Sequence, residues 1–242
     1  MAEFLLEIAG HCAGVTSLFE STPHHFSKYL TDRPADFTVR ICREDLEFEQ
    51  RDADIEAEEE GFRRRKFPDP FLERAAIQRK FAEYLLERDI FLAHGSALAL
   101  DGCGYLFTAR SGTGKSTHTR LWRECFGQRA AMINDDKPFL QLTAEGVLIH
   151  GSPWSGKHGL DTNISVPLKG ICLLERGSEN VIRPAKAEEV RELLKGFRPQ
   201  TTRQAEHYEA LLTKLLEAVP LWHLDCTKDK AAAEIARAAM SE

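Results

Sequence analysis

The chain has 242 residues, a net charge of −6 and 43% apolar positions. This length and apolar content exclude a mainly disordered chain and suit one large domain, or one domain with a small partner, whose core needs no disulfide or metal. No apolar run approaches the length of a membrane span, and residues 1–10 lack a secretory leader pattern. We therefore expect a soluble cytoplasmic protein with no membrane partner. The mild acidity argues against nucleic acid, and six scattered cysteines indicate reduced thiols.

Residues 1–68 are predicted to form a small N-terminal α+β region whose function the sequence does not indicate. Apolar segments at 4–8 and 37–41 predict two strands with a short helix between them. Acidic residues from 52 to 60 and basic residues from 63 to 66 favour a solvated turn or strand end over a partner-binding patch. Asp69 and Pro70 are typical of a helix start, so we place a second region at 69–242.

The most informative motif lies at residues 109–117, which read Ala-Arg-Ser-Gly-Thr-Gly-Lys-Ser-Thr. Extended segments are predicted at 91–100 and 105–108, the second runs into this loop, and a helical segment follows as far as Gly127. Glycines allow backbone N–H groups to turn inward, and a helix N-terminus adds partial positive charge, so the order strand, loop, helix favours a polyphosphate. Ala109 stands where the full phosphate-loop pattern has glycine, and a chance Gly-Lys-Ser turn is the alternative.

This loop supplies the predicted nucleotide-binding residues. Lys115 is expected to reach the β and γ phosphates, and the Ser116 hydroxyl to bind Mg²⁺, so the predicted cofactors are ATP and Mg²⁺. The predicted binding set is Ser111, Gly112, Thr113, Gly114, Lys115, Ser116 and Thr117.

A second candidate element is the apolar strand at 130–133, which ends at Asn134, Asp135 and Asp136. Beside a phosphate loop, one carboxylate can hold Mg²⁺ while the other takes the proton from an attacking hydroxyl. A turn before Lys137 and Pro138 is the structural alternative. Adjacent residues on an extended strand face opposite ways, so both can point to one metal only if the strand has ended.

Residues 111–116 and the pair Asp135 and Asp136 resemble the kinase family of HPr serine kinase/phosphorylase and phosphoenolpyruvate carboxykinase. That family has the loop S-G-x-G-K-[ST] and a paired Asp at the end of the following strand. His94 and Gly95 are similar to a His-Gly of the HPr kinase branch, and the resemblance covers residues 91–176.

The resemblance implies an α/β fold with a mixed-sheet nucleotide-binding core and flanking helices. It also implies that Asp135 is the base and that Asp136 with Ser116 holds the metal, although the two Asp roles could be exchanged. Because the HPr kinase branch is often oligomeric, it further implies a homo-oligomer. No arginine constellation that would bind a carboxylate substrate is visible, so decarboxylation is not expected.

A glycine-rich loop at 151–159 follows a predicted hairpin at 139–143 and 147–150. Lys157 suits a transferring γ phosphate or an anionic acceptor, Trp154 offers a flat stacking face, and His158 is a further substrate-binding candidate. The alternative is a surface turn anchored by the tryptophan.

Three other residues are weaker candidates. His94 could polarise phosphates or be a hydrogen-bonded core residue, and Asn163 could orient the acceptor. Arg176 ends a strand predicted at 168–174, where it could stabilise transition-state charge or form a surface ion pair with Glu175. His118, like the pair at 24 and 25, is interpreted as structural or surface. Helices predicted at 187–194, 203–219 and 228–240, with a strand at 221–224, are expected to cover the sheet.

These patterns favour an ATP- and Mg²⁺-dependent phosphotransferase that acts on a hydroxyl. The acceptor is either a Ser on a small protein or peptide, or a small metabolite. A regulatory module that binds nucleotide without transfer, and a phosphorylase running the chemistry in reverse, remain as alternatives.

Overall fold

The computed structural model describes residues 1–59 and 61–241. The chain divides into two compact units, Met1–Tyr84 and Leu85–Glu242. The division falls near the end of the helix that begins at Asp69, whereas the sequence placed the boundary before that helix. No helix within the described residues is long and apolar enough to cross a bilayer. All six cysteines, each within the described residues, are free thiols.

The first unit contains a three-stranded sheet and two long helices. Its elements are β1 (Ala2–Ile8), β2 (His11–Ser17), α1 (Thr22–His25), β3 (Phe37–Arg40), α2 (Arg43–Glu59) and α3 (Asp69–Leu86). β2 pairs antiparallel with β1 and parallel with β3. The sequence prediction missed β2. The turn at Ala9 and Gly10, where both residues have positive φ, is too short to be recognised from composition.

The acidic segment was predicted as a turn, and that prediction is wrong for residues 52–59, which continue α2. Glutamate and alanine are good helix formers, so residues 52–59 can continue the helix, and α3 supplies a cation to the preceding turns of α2. Arg79 on α3 donates hydrogen bonds to Glu49 (2.7 Å) and Asp45 (3.1 Å). Position 60 lies outside the described residues.

The second unit carries the predicted phosphate loop. Its elements are β4 (Ile90–Leu92), β5 (Ser96–Leu100), β6 (Cys103–Thr108), α4 (Lys115–Phe126), β7 (Ala130–Asn134), β8 (Phe139–Thr143), β9 (Gly146–His150), β10 (Ser165–Arg176), β11 (Val181–Pro184), α5 (Ala187–Leu194), α6 (Thr202–Ala218), β12 (Leu221–Cys226) and α7 (Lys230–Met240). The segment predicted at 91–100 is interrupted at His94 and Gly95, and β11 was not predicted.

These strands form a mixed sheet in the order β4-β8-β9-β10-β6-β5-β7, with β12 beside β10 and β11 beside β12. Consecutive residues of β10 face opposite sides of the sheet. Leu173 joins a core with α5 and α6, whereas Leu174 joins a core with α4 and α7. The predicted class, a mixed α/β sheet with flanking helices and a small N-terminal α+β region, is confirmed.

The topology brings several strand ends together. β5 lies between β6 and β7 and is antiparallel to both, so β6 and β7 run in the same direction. The carboxyl ends of β6 and β7 and the start of β5 therefore lie at one end of the sheet. β10 and β12 run parallel to β6, so their carboxyl ends lie there as well. Residues far apart in sequence meet at this end.

Candidate functional site

The loop between β6 and α4 has the backbone geometry of an anion cradle. Gly112 and Gly114 have φ values of 76° and 133°, in a region that strains residues with side chains. Gly114 is the N-cap of α4, no side chain caps this helix, and its first turn holds no acidic residue. The first amides of a helix have no intrahelical partner, so this N-terminus is suited to a bound anion.

Ala109, the departure from the full pattern, fits the loop without strain. Among the described residues, the non-glycine positions with positive φ are Ala9, Asp89 and Asp101. Ala109 is fully buried and packs in the core that α4 covers. Glycine is therefore not required at this position.

Lys115, the first residue of α4, is half-buried at the cradle. Its ammonium donates a hydrogen bond to the carbonyl of Ala109 (3.0 Å). Burial lowers the pKa of Lys115; the carboxylate of Asp136 opposes that shift, and the charge of Lys137 adds to it. Lys115 thus lies within electrostatic reach of Asp136, while Ser116 and Thr117 are partly exposed on the next positions of the helix.

The two Asp residues follow directly where β7 ends, and the buried side chain of Asn134 fixes their backbone. Its Oδ1 accepts hydrogen bonds from the N–H groups of Asp136 (2.7 Å) and Lys137 (2.6 Å). Its Nδ2 donates to the carbonyl of Ser152 (2.8 Å). Because β7 has ended, the two carboxylates do not alternate between opposite faces of the sheet. Each contacts a different set of neighbours.

His94 lies beside the second carboxylate. Its Nε2 is 3.7 Å from Oδ1 of Asp136. Burial, together with the charges of Lys137 and Lys115, lowers the pKa of His94 to about 3, so the imidazole is neutral at pH 7. The turn that presents His94 needs the glycine that follows it, because a Cβ at position 95 would lie 2.8 Å from the carbonyl of Phe107.

The first carboxylate faces the loop 151–159. The N–H of Gly156 donates to Oδ1 of Asp135 (2.7 Å). Burial raises the pKa of Asp135; the Gly156 N–H and the charge of His158 oppose that shift, and Asp136 adds to it. The structure therefore brings Gly156 and His158 to Asp135, and Lys157 and His158 are exposed on this loop.

The remaining substrate-binding candidates have different surroundings. Trp154 is buried and meets the ring of Phe139 edge-on at 6.3 Å between centroids, which fits the alternative of an anchoring residue. Arg176 donates to the carbonyls of Gly112 (2.6 Å) and Thr113 (3.2 Å), so its guanidinium holds the loop backbone. Asn163 is exposed in the segment before β10.

His118 lies on the buried face of α4. Trp122 donates a hydrogen bond from Nε1 to its Nε2 (2.9 Å), and burial lowers the pKa of His118 to about 4. Its surroundings are those of a core residue.

Three contributors to the site were missed by sequence reasoning: Asn134, Lys137 and Ser152. Ser152 donates from Oγ to the carbonyl of Lys137 (2.6 Å) and so ties the loop 151–159 to the Asp turn. The available signal was the asparagine at a strand end, since Asn side chains accept hydrogen bonds from the backbone two residues on. Nothing in the spacing identifies Ser152.

No model of a known protein family matches the sequence, and no curated protein matches it. Among solved structures, the chain is similar to the HPr(Ser) kinase/phosphatase from Coxiella burnetii. That match has 11% identity and a TM-score of 0.38, and covers 62% of this chain and 99% of that chain. The fold and the site define a mixed α/β protein in which a glycine loop leads from β6 to the uncapped N-terminus of α4.

Proposed function

We propose that the chain is an ATP- and Mg²⁺-dependent phosphotransferase that transfers the γ-phosphoryl group to a hydroxyl acceptor. The observation that carries this proposal is the meeting of a glycine loop, Lys115 and two adjacent carboxylates at one end of the sheet. Phosphoryl transfer requires mainly positioning and charge stabilisation, and these groups supply both.

The nucleotide phosphates would lie against the amides of residues 112–117 and the ammonium of Lys115. Arg176 stabilises this loop, because its guanidinium donates hydrogen bonds to the carbonyls of Gly112 and Thr113. Because these carbonyls already accept hydrogen bonds from Arg176, the amides of the loop would point toward the phosphates.

Mg²⁺ would be held by the Ser116 hydroxyl and the Asp136 carboxylate. These hard oxygen donors suit the ion, and partial exposure of both residues leaves room for water and phosphate ligands. When bound, the ion neutralises charge on the β and γ phosphates. Neutral His94, 3.7 Å from Asp136, leaves that carboxylate negative toward the metal.

Asp135 would take the proton of the acceptor hydroxyl. Burial raises its pKa, which makes the carboxylate a better proton acceptor, while the N–H of Gly156 fixes its orientation. Lys157, exposed on the same loop, would attract the γ phosphate or an anionic acceptor. The acceptor is a Ser on a small protein or peptide, or a small hydroxyl metabolite.

The direct test is incubation with Mg²⁺ and γ-labelled ATP across peptide and metabolite pools, with Asp135→Asn as the matched variant. We expect label transfer by the wild type and a loss of at least about 100-fold in the variant, since a positioned base contributes on that order. ATP binding should remain in the variant.

Tight ATP binding by the wild type without transfer or hydrolysis would contradict the proposal and favour a regulatory module. Addition of inorganic phosphate to labelled product distinguishes a phosphorylase, which would release the label from the acceptor.

A further inference from the structure

A cavity of about 630 Å³ lies beside the glycine loop. Its wall is formed by loop residues 110–113, the end of β10 at residues 173–176, Glu189 and Leu193 of α5, and His223 of β12. Binding sites for small organic molecules usually have volumes of about 300–1,000 Å³. The loop therefore borders a space that can hold more of a ligand than its phosphates.

The strand order places this cavity and the Asp turn on opposite sides of the loop. The loop follows β6, which lies between β10 and β5, and β7 lies beyond β5. Neighbouring strands are about 4.8 Å apart, so the ends of β10 and β7 are roughly 14 Å apart across the sheet. A nucleotide whose γ phosphate lies near Asp135 and Asp136 would therefore extend its nucleoside toward β10 and the cavity.

Glu175 and Glu189 both line the cavity, but they differ in how far their carboxylates are already engaged. Arg183 donates hydrogen bonds to both carboxylate oxygens of Glu189, at 2.6 and 3.2 Å. The Glu175 side chain, by contrast, is 60% exposed at the end of β10. Glu175 is therefore the carboxylate of this wall that a ligand can reach.

The imidazole behind Glu175 leaves that carboxylate able to accept further hydrogen bonds. Nδ1 of His223 lies 2.7 Å from the guanidinium of Arg183, which can only donate, so the ring carries its proton on Nε2. This Nε2 is buried and has no hydrogen-bond partner among the described residues. It lies 3.6 Å from Oε2 of Glu175, beyond hydrogen-bond length. Both oxygens of Glu175 thus remain free to accept from a ligand.

An ionised carboxylate only accepts hydrogen bonds, so the ligand group beside Glu175 must be a donor. The part of a nucleotide that follows its phosphates is the ribose, whose two adjacent hydroxyls can each donate to one carboxylate oxygen. Hydrogen bonds to a charged acceptor are roughly twice as strong as those between neutral groups. An acidic side chain at a strand end binds ribose in this way in dinucleotide-binding folds.

We propose that Glu175 binds the 2′ and 3′ hydroxyls of the ribose and that the cavity holds the nucleoside of the bound nucleotide. Leu193, partly exposed in the cavity wall, provides an apolar surface for the base. Glu175 then makes the site selective for ribonucleotides. This inference rests on the proposed function, because it requires the phosphates to lie on the glycine loop.

The test is calorimetric titration of the full chain with Mg²⁺ and three probes: a non-hydrolysable ATP analogue, its 2′,3′-dideoxy form and inorganic tripolyphosphate. We expect wild type to bind the ribose form at least about tenfold more tightly than the dideoxy form, since hydrogen bonds to a charged group are lost. Glu175→Ala should bind the two forms within about twofold of each other, because their shared acceptor is gone. It should bind tripolyphosphate at least as well as wild type does.

Glu179→Ala is the matched control, since it removes an exposed glutamate that is not part of the cavity wall, and it should keep the wild-type preference for ribose. Equal affinity of wild type for the ribose and dideoxy forms, or a preference that persists in Glu175→Ala, would overturn this inference. The proposed phosphate site would stand in both cases, because tripolyphosphate and both analogues still bind. A wild type that binds none of the three probes would contradict the proposed function, and this inference with it.

Discussion

At the scale of single residues, Asn134 holds the backbone of the candidate site through its side-chain hydrogen bonds. It has no role in proton transfer, yet its amide fixes the backbone of Asp136 and Lys137 and links the Asp turn to Ser152. Each of these hydrogen bonds is buried or partly buried, so the loss of one leaves a polar group without water or partner. The positions of both carboxylates depend on this side chain.

Asn134→Ala is therefore expected to lower the free energy of unfolding by about 2–4 kcal/mol, since several buried polar groups lose their partner. Phosphate transfer should fall further than ATP affinity, because the carboxylates move and the phosphate loop does not. Urea denaturation and the transfer assay measure the two effects.

Asn134→Asp is the matched control, since it keeps an oxygen that accepts from the N–H groups of Asp136 and Lys137. It should retain more transfer than the alanine variant. Equal transfer in Asn134→Ala and wild type would show that Asn134 does not position the carboxylates.

His118 predicts a specific pH dependence of stability. Its pKa in the folded protein is lowered to about 4 by burial, whereas the unfolded chain binds a proton near the ordinary value of 6.5. Between these values the unfolded state holds more protons, so stability is lost as pH falls from about 6.5 to about 4. His94 acts in the same direction.

The measurement is the difference in unfolding free energy between wild type and His118→Gln, taken across this window. The difference should shrink on acidification by up to about 1.4 kcal/mol per pH unit, because the variant lacks this proton while His94 contributes equally to both proteins. A difference that is constant with pH would mean that His118 is not held neutral by burial.

At the scale of elements, close backbone packing positions the loop 151–159 next to Asp135. A Cβ at Gly151 would lie 1.8 Å from the carbonyl oxygen of Thr162 and 3.0 Å from that of Ile133. At Gly156, in the same loop, the nearest atom to a new Cβ would be a carboxylate oxygen of Asp135 at 3.4 Å, an ordinary contact. Of these two positions, only 151 requires glycine for steric reasons.

Gly151→Ala should accordingly lower the unfolding free energy by about 1–3 kcal/mol or more, because backbone must move to admit the methyl group. Gly156→Ala should cost less than about 1 kcal/mol, since nothing must shift. Denaturant titration of both variants provides the comparison, and equal stability of the two would contradict this packing.

Secondary structure with strong local signals could be predicted from the sequence. The loop at 109–117 was recognisable because its glycines, lysine and serine stand between an apolar strand and a helix, and the start of α3 was marked by Asp69 and Pro70. By contrast, β2 lacks a clear apolar alternation, and α2 was obscured by the acidic residues at 52–59. Earlier in α2, Asp45 and Glu49 are compensated by Arg79 from another helix. Such compensation depends on tertiary packing.

At the scale of the molecule, the sheet topology assembles the site from segments that the sequence cannot connect. His94 and Asp136 are brought within 3.7 Å because β5 pairs antiparallel with β7, so that the start of β5 lies beside the end of β7. The contact of Arg176 with the phosphate loop likewise follows from the parallel pairing of β10 with β6. The sequence indicated the residue types of the site, whereas these contacts required the strand order.

Charge is also distributed unevenly over the molecule. A net charge of −6 does not exclude an anionic nucleotide, because Lys115 and Lys137 lie close enough to lower the pKa of His94 together. Fields of this kind act locally, over about 10 Å at moderate ionic strength. Two lysines therefore lie beside the Asp turn in a chain that is negative overall.

We propose that Lys115 and the glycine loop bind the phosphates of ATP. Calorimetric titration with Mg²⁺ and a non-hydrolysable ATP analogue tests it most directly, with Lys115→Met compared with Lys214→Met, which removes an exposed lysine on α6. Loss of a charged phosphate contact should weaken binding at least tenfold in Lys115→Met, and Lys214→Met should bind as wild type does. Equal affinity in all three proteins would show that Lys115 does not bind the phosphates.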